Sequence, residues 1–192
     1  FMEFKINSSD LLKALSHIHG IVEVRHTLPI LSNIILKAKD NELTLSSTNL
    51  DIYCADKIKA EVSIAGEISV SAVTFFEIVK RLPPGSEVMM TMEEGENEII
   101  LKCGRSKFNL STLKTDDFPI ISDNDLSTNF VLSADELIRI IDKTKFAVSN
   151  EETRYYLNGI FLHKADRNSI QFLRAVATDG HRLAQYLSLI HI

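Results

Sequence analysis

Apolar positions along the chain fall into two spacings, and the switch between them recurs. After a short alternating run at Phe4 and Ile6, the apolar residues Leu11, Leu12, Leu15 and Ile18 take helical spacing. They predict a helix over 8–19, with Ser8 or Ser9 as N-cap and Gly20 as the stop. Alternating Ile, Leu and Val then predict strands at 31–39 and 42–47, joined at Asp40 and Asn41, and a third at 50–59. The pattern restarts with a short strand at 68–70 and a helix at 72–82 ended by Pro83, Pro84 and Gly85. Strands at 87–92, 98–103 and 106–113 follow.

This is repetition, and it organises the chain. Phe4, Ile6, Leu11, Leu12 and Lys13 reappear 126 residues later as Phe130, Leu132, Leu137, Ile138 and Arg139, and Ile34 and Leu36 reappear as Ile160 and Leu162. Thr48 and Asn49 correspond to Thr178 and Asp179 at an offset of 130, which places a four-residue insertion in the turn at 164–169. A fainter copy at offset 64 sets Ile6, Leu11 and Leu15 on Val70, Phe75 and Val79. The unit reads as strand, helix and three strands, an α+β pattern with helices on one face and antiparallel sheets on the other. Two units make a complete first domain at 2–125, and 116–127 reads as linker. A third unit, with its helix at 134–146, makes the first half only of a second domain at 129–186. Residues 187–192 read as an atypical tail that begins no fourth unit, so the second domain's sheet is expected to keep an unpaired edge prone to aggregation.

Composition adds exclusions. With 45% hydrophobic and 24% charged residues, only seven Gly and four Pro, and no biased segment, the chain is globular and built of closely spaced elements. Its apolar runs are far shorter than the roughly 20 residues a bilayer span needs. The charged residues after Met2 carry no secretory pattern, so a cytoplasmic location without membrane contact is expected, and Phe1 is left out of the fold. Cys54 and Cys103 sit in alternating runs and read as buried thiols, without disulfide or zinc spacing. The net charge of −5 argues against a polyanion partner only if charge is evenly spread. It is not: acids cluster at Glu93, Glu94, Glu96 and Glu98 and again at Asp116, Asp117, Asp123 and Asp125. On the helices, the basic side chains Lys13, His17, Lys80, Arg81, Arg139, Lys143 and Lys145 flank the apolar stripe. Singly each reads as a solvated charge, but Lys13 and Arg139 occupy equivalent places in two copies.

Several local motifs keep a fixed order: Thr27-Leu28-Pro29-Ile30-Leu31, Gly104-Arg105-Ser106-Lys107-Phe108, Leu110-Ser111-Thr112-Leu113, Asp117-Phe118-Pro119, Arg154-Tyr155-Tyr156-Leu157-Asn158-Gly159, and Ala177-Thr178-Asp179-Gly180-His181-Arg182-Leu183-Ala184. With the repeated unit, they make residues 2–186 resemble the N-terminal half of the bacterial DNA polymerase III beta subunit, the beta sliding clamp family. The resemblance implies a non-catalytic processivity factor. At full length it would form a head-to-tail homodimer ring around double-stranded DNA, with helices lining the hole and reading no sequence. It would dock the replicative polymerase, clamp loader and repair proteins through short linear motifs.

Carried over by position, the resemblance makes Arg25, Tyr155 and Tyr156 DNA contacts, beside the helical candidates Lys13, Lys80, Arg81, Arg139 and Lys143. Val73 and Glu151 depart from the polar or basic residues often found at their places. It makes Leu157, Thr178, Gly180, His181, Arg182 and Leu183 a peptide pocket whose remaining wall comes from a third domain. It places the subunit interface at Arg105, Ser106, Lys107 and Phe108. A chain with this much of the family's length is expected to be a truncated form that binds such peptides weakly and does not close a ring.

Two other classes stand beside the clamp. A peptide-binding adaptor would keep the fold without encircling DNA. A small hydrolase would use His181 and Asp179 as acid and base, with Ser106 or Ser111 as nucleophile, but no oxyanion hole, glycine-rich phosphate loop or orienting third group accompanies them. Neither cofactor nor metal is expected, because His17 and His19 point to different sides of a helix. The sequons at Asn7 and Asn109 carry no meaning in a cytosolic protein.

Overall fold

The computed structural model describes residues 1–22, 28–93, 95–116, 118–119, 130–167 and 170–189. They form two compact bodies, Phe1–Ile121 and Ser122–Ile192.

In the first body, β1 (Met2–Asn7) turns Met2, Phe4 and Ile6 inward and runs directly into α1 (Ser8–Ile18). The cap of α1 is Asn7, whose carboxamide oxygen accepts the Ser9 N–H at 2.9 Å. This corrects the expectation of Ser8 or Ser9, and the reason is tertiary. The Ser8 hydroxyl donates to the Pro83 carbonyl at 2.8 Å, and the Ser9 hydroxyl accepts the Gly85 N–H at 2.9 Å, so both serines bind the turn of the second unit. Gly20 lies inside a 3-10 turn, His19–Ile21, that follows the helix.

A second 3-10 turn, Pro29–Ser32, takes up residues expected in a strand, because Pro29 at its start favours helical φ. β2 (Asn33–Lys39) and β3 (Glu42–Thr48) then form a hairpin whose corner residues Asp40 and Asn41 both have positive φ, 53° and 58°. β4 (Tyr53–Lys59) starts three residues later than expected, after a turn. A strand not foreseen, β5 (Glu61–Ile64), follows at once. The second unit comprises β6 (Gly66–Ser71), α2 (Ala72–Lys80), β7 (Glu87–Met92), β8 (Glu98–Cys103) and β9 (Ser106–Ser111).

The two units exchange their first strands. β1 joins the strands of the second unit in the order β5-β1-β7-β8-β9, and β6 joins those of the first in the order β4-β3-β2-β6. All these pairings are antiparallel, and they are reciprocal in register. Phe4 faces Met90 and Ile6 faces Val88, while Ile68 faces Leu36 and Val70 faces Ile34. The chain crosses between sheets at Ala60, where β4 ends and β5 begins. At Gly66 a Cβ atom would lie 2.7 Å from the Phe1 carbonyl oxygen, so only glycine passes β1 there. Both helices close over the single core this arrangement creates, contributing Leu11, Leu15, Phe75 and Val79, none more than 1% exposed.

The second body contains α3 (Ala134–Thr144), capped by the Ser133 hydroxyl, then 3-10 turns at Lys145–Ala147 and Glu152–Leu157. A sheet β10-β11-β12 follows, made of Phe161–Arg167, Ile170–Thr178 and Leu183–Leu189. Residues 130–133, expected to begin with a strand, form none. The inserted residues lengthen the hairpin: Leu162 pairs with Ala175 as Leu36 pairs with Leu45, with twelve residues between them in place of eight. β12 runs on through Leu189, paired with Phe172, so 187–189 belong to the sheet and not to a tail. The core here is slight, built on Ile140, Leu173 and Ala175, with Ala147, Ala177 and Ala184 beside it. Both cysteines are free thiols, Cys103 buried and Cys54 half-buried. Among the described residues, no helix is long and apolar enough to cross a membrane.

Candidate functional site

The helical cations divide into paired and unpaired. Arg81 binds Glu77 at 3.1 Å, Arg139 binds Glu136 at 3.2 Å, Lys145 binds Asp142, and His17 meets Asp56 at 2.8 Å. Lys13, Lys80 and Lys143 are exposed and enter no ion pair among the described residues. Lys13 on α1 and Lys80 on α2 line one cleft of about 330 Å³ between the two helices, with the ammonium of Lys80 5.9 Å from the centre of the Phe76 ring. The Phe76 ring also stacks on the His19 imidazole, centroids 3.8 Å apart and nearly parallel. Among the described residues, Lys13 and Lys80 on these two adjacent helices thus carry positive charge that no carboxylate pairs.

Arg25 lies outside the described residues. Tyr155 and Tyr156 are 79% and 71% exposed, edge to face at 5.8 Å, on the 3-10 turn that ends at Leu157. Rings of this size left in water on a short rigid turn suit stacking or phosphate contact. Arg105 to Phe108 occupy the turn into β9 and the strand itself, whose other neighbour position is empty of described residues. The outer edge of β9 therefore presents backbone donors and acceptors free to pair with another strand.

The turn between β11 and β12 is fixed by its own side chains. The Thr178 hydroxyl accepts the Gly180 N–H at 3.1 Å and donates to the Arg182 carbonyl at 2.7 Å. One Asp179 carboxylate oxygen accepts the N–H groups of His181 at 3.0 Å and Arg182 at 2.9 Å, and the other accepts Arg182 Nε at 2.8 Å. The same turn exists in the first unit. There Thr48 accepts from Leu50 and donates to Ile52, and Asn49 accepts from Asp51 and Ile52. Even the left-handed residue is shared, Leu50 at φ 80° and Gly180 at φ 89°.

These hydrogen bonds decide against Asp179 as a base. The Arg182 and His181 backbone N–H groups, helped by the Arg182 guanidinium, hold its pKa at about 2, far below a useful base at neutral pH. His181 contacts it through the backbone, and Ser106 and Ser111 pair in the sheet of the other body. No group of three or more His, Cys, Asp or Glu able to hold a metal ion occurs among the described residues.

What distinguishes the two turns is their apolar neighbourhood. In the first unit, Leu31, Ile35 and Tyr53 pack with Ile30 and Phe118, which is 7% exposed; the segment expected as linker therefore starts with a buried residue. The repeat offsets carry Leu31, Ile35 and Tyr53 onto Leu157, Phe161 and Leu183. Leu157 is half-buried, while Phe161 and Leu183 are 64% and 65% exposed, beside exposed Gly180, His181 and Arg182. A Cβ on Gly180 would stand 3.2 Å from an Arg154 guanidinium nitrogen, so the Glu152–Leu157 turn reaches this corner and closes one side of it. The third unit thus leaves exposed Phe161 and Leu183, whose first-unit counterparts Ile35 and Tyr53 pack with Phe118. Sequence reasoning missed Phe118, Ile35 and Phe161 as parts of it, although the offset of 126 relates the last two.

Comparison with known proteins gives a consistent picture. Residues 2–122 match the family described as DNA polymerase III beta subunit, N-terminal domain, and residues 131–191 match its central domain. The Beta sliding clamp of Caulobacter vibrioides is 46% identical over 183 residues, 95% of this chain and 49% of that protein. That of Pseudomonas aeruginosa is 40% identical over 184 residues, 95% and 48%. A crystal structure of the C. crescentus beta sliding clamp superposes with a TM-score of 0.90 at 45% identity, covering 98% of this chain and 50% of that one. The sliding clamp of Bacillus subtilis gives 0.89 at 29% identity, covering 100% and 51%. The chain spans about half the length of the relatives it matches.

Proposed function

The chain belongs to the DNA polymerase III beta subunit family, the beta sliding clamps, and from that premise we propose that it supplies the first part of a cytoplasmic ring that slides on duplex DNA. In this reading the ring confers processivity on a replicative polymerase without a catalytic step of its own. The paired helices α1 and α2 face the duplex. Their lysines attract phosphates without entering a groove, which gives binding that is weak, independent of sequence and steeply dependent on salt. A sliding contact needs that weakness. Tyr155, Tyr156, Arg139 and Lys143 extend the same role to the second domain, Arg25 is read in the same role, and Arg139 gives up Glu136 when a phosphate arrives.

The open groove at Leu157, Phe161 and Leu183, rimmed by Thr178, Gly180, His181 and Arg182, takes short linear motifs of the polymerase, clamp loader and repair proteins. Its filled counterpart around Phe118 supports this. The β9 edge, with Arg105, Ser106, Lys107 and Phe108, is the strand that pairs with a neighbouring subunit. Ring closure calls for surface beyond these 192 residues, so this chain alone binds DNA without topological retention.

The observation that carries the DNA reading is the cleft where Lys13 and Lys80 stand without acidic partners among the described residues. Fluorescence anisotropy on two unrelated duplexes, titrated from low to moderate salt, tests it. Equal affinities are expected, falling linearly on a log-log plot. Replacing Lys13 and Lys80 together by Ala is expected to flatten the slope by about 1.8, at about 0.9 per phosphate contact. An unchanged slope would remove the helices from the interface. Peptide capture persisting in a chain that binds DNA at no salt concentration would favour the adaptor.

A further inference from the structure

The 3-10 turns that follow α1 and α3 are one turn in two copies of the repeat. Lys145–Ala147 corresponds to His19–Ile21 at the offset of 126. Each closes with the same backbone bond: the Val148 N–H donates to the Lys145 carbonyl at 3.1 Å, and the Val22 N–H to the His19 carbonyl at 3.3 Å. The turn between β11 and β12 repeats the one between β3 and β4 in the same way. Across both pairs the backbone is kept while three side chains change together. Where the first unit has Gly20, Asn49 and Ile52, the third has Phe146, Asp179 and Arg182.

Those three side chains form one cluster. Asp179 Oδ2 accepts Arg182 Nε at 2.8 Å, and the guanidinium carbon stands 5.8 Å from the centre of the Phe146 ring. Ala147, fully buried with Ala177 and Ala184, fixes the turn that carries the ring. The first unit folds both turns without any of the three, so the fold does not require the cluster. What the cluster does is grip a cation. An arginine side chain left to itself samples many rotamers, and here it is held at Nε by a carboxylate and against an aromatic ring. Its two Nη groups make no hydrogen bond among the described residues and remain as a planar fork of donors at the groove rim. We infer that Phe146 is a positioning residue of this groove, holding the Arg182 guanidinium so that its Nη donors meet acceptor oxygens of a docked peptide without reorganisation. Preorganised donors spend less of the binding free energy on ordering.

The inference rests on the docking reading of the groove, and two measurements on the 192-residue chain keep the two apart. NMR of the Arg182 Nε–H group without ligand reads the grip. Its exchange with water is expected to be slow in the wild type, faster in Phe146→Leu, and slow again in Phe146→Tyr, which keeps a ring. Gly20 at the corresponding place shows that the turn forms without an aromatic side chain. Titration with acetyl-Phe-Asp-Leu-amide and acetyl-Phe-Asn-Leu-amide, followed at Leu157, Phe161 and Leu183, reads the consequence. Phe146→Leu is expected to weaken binding about two- to fivefold, as loss of an exposed cation–π contact does, with Phe146→Tyr at the wild-type value. Loss confined to the aspartyl peptide assigns the acceptor to a side-chain carboxylate, and equal loss assigns it to main-chain carbonyls. Unchanged Nε–H exchange in Phe146→Leu, or equal weakening by the leucine and tyrosine variants, would overturn the inference. If neither peptide perturbs the wild-type groove while the exchange still responds to Phe146→Leu, the docking reading falls, and with it the purpose assigned to the grip.

Discussion

Ser69 is fully buried on β6, opposite Ile35, and its hydroxyl is the hub of a small network. It accepts the Asn33 amide at 2.9 Å and the Leu113 N–H at 3.0 Å, and donates to the Leu113 carbonyl at 2.9 Å. Through it the chain leaving β9 is held against the sheet five residues before Phe118 enters its groove. Ser69→Ala removes one oxygen, opens no cavity to speak of, and leaves three groups without their partner. The Asn33 side chain is in a residue only 7% exposed, so its unsatisfied amide counts in full, about 1–3 kcal/mol. Leu113 is 45% exposed and its freed groups hydrate, so they add less. The total is about 2–3 kcal/mol. At a urea m-value of about 2 kcal/mol/M, the first domain's unfolding midpoint, followed by far-UV circular dichroism, falls by about 1 M. Amide exchange at Leu113 and Phe118 should accelerate in the same variant before the domain unfolds. An unshifted midpoint with unaltered exchange at both amides would show that the network neither stabilises the domain nor holds Phe118 in place.

Two further outcomes follow from the duplicated turn. Leu50 adopts φ 80° where its counterpart is Gly180, so Leu50→Gly should raise first-domain stability by up to about 1 kcal/mol and Gly180→Ala should lower that of the second by about the same, read as opposite shifts in urea midpoint. Asp179 has its pKa depressed in the fold to about 2. Its contribution is therefore complete above the unfolded value of about 3.9 and is lost as pH falls through about 2. Asp179→Asn, which copies Asn49, should flatten the acid side of the second domain's thermal stability profile between those values; identical profiles would show that the carboxylate is not what titrates there.

The repeat was legible because it is written in side chains that must be buried, and burial constrains chemistry. Helical spacing marked all three helices to within a few residues, and two residues able to take positive φ, Asp40 and Asn41, marked the first hairpin. What escaped was settled by partners distant in sequence. Nothing in Glu61–Ile64 says that the chain has changed sheets after Ala60; β5 exists because β1 has an open side. Asn7 outcompetes Ser8 and Ser9 as cap only because the Pro83–Ser86 turn engages both hydroxyls. Residues 130–132 keep a strand's pattern and form none, since a strand needs a neighbour. Of the candidate site, the polar rim and the apolar residues Leu157 and Leu183 were readable through their motifs, but Phe161 was not. A leucine or phenylalanine that lines a groove has the same spacing as one in a core, and only exposure separates Leu183 from the buried face of its own strand.

On the proposed function, that separation is how one repeat yields both a closed structure and a docking site. Thr48 to Ile52 and Thr178 to Arg182 are the same turn, held by side-chain oxygens at the same positions, so the turn's geometry is set by its own residues. In the first unit, covalent attachment delivers Phe118 at no cost in translational freedom, and burial of one aromatic ring, worth about 1.5–3 kcal/mol, suffices to fill the site. A peptide arriving from solution at Leu157, Phe161 and Leu183 must offset association entropy of about 4 kcal/mol or more. One ring does not do so. On the proposed function, a second anchor and backbone contacts at the Thr178 to Arg182 rim are required, which favours extended motifs over single residues and keeps affinity low enough for partners to exchange.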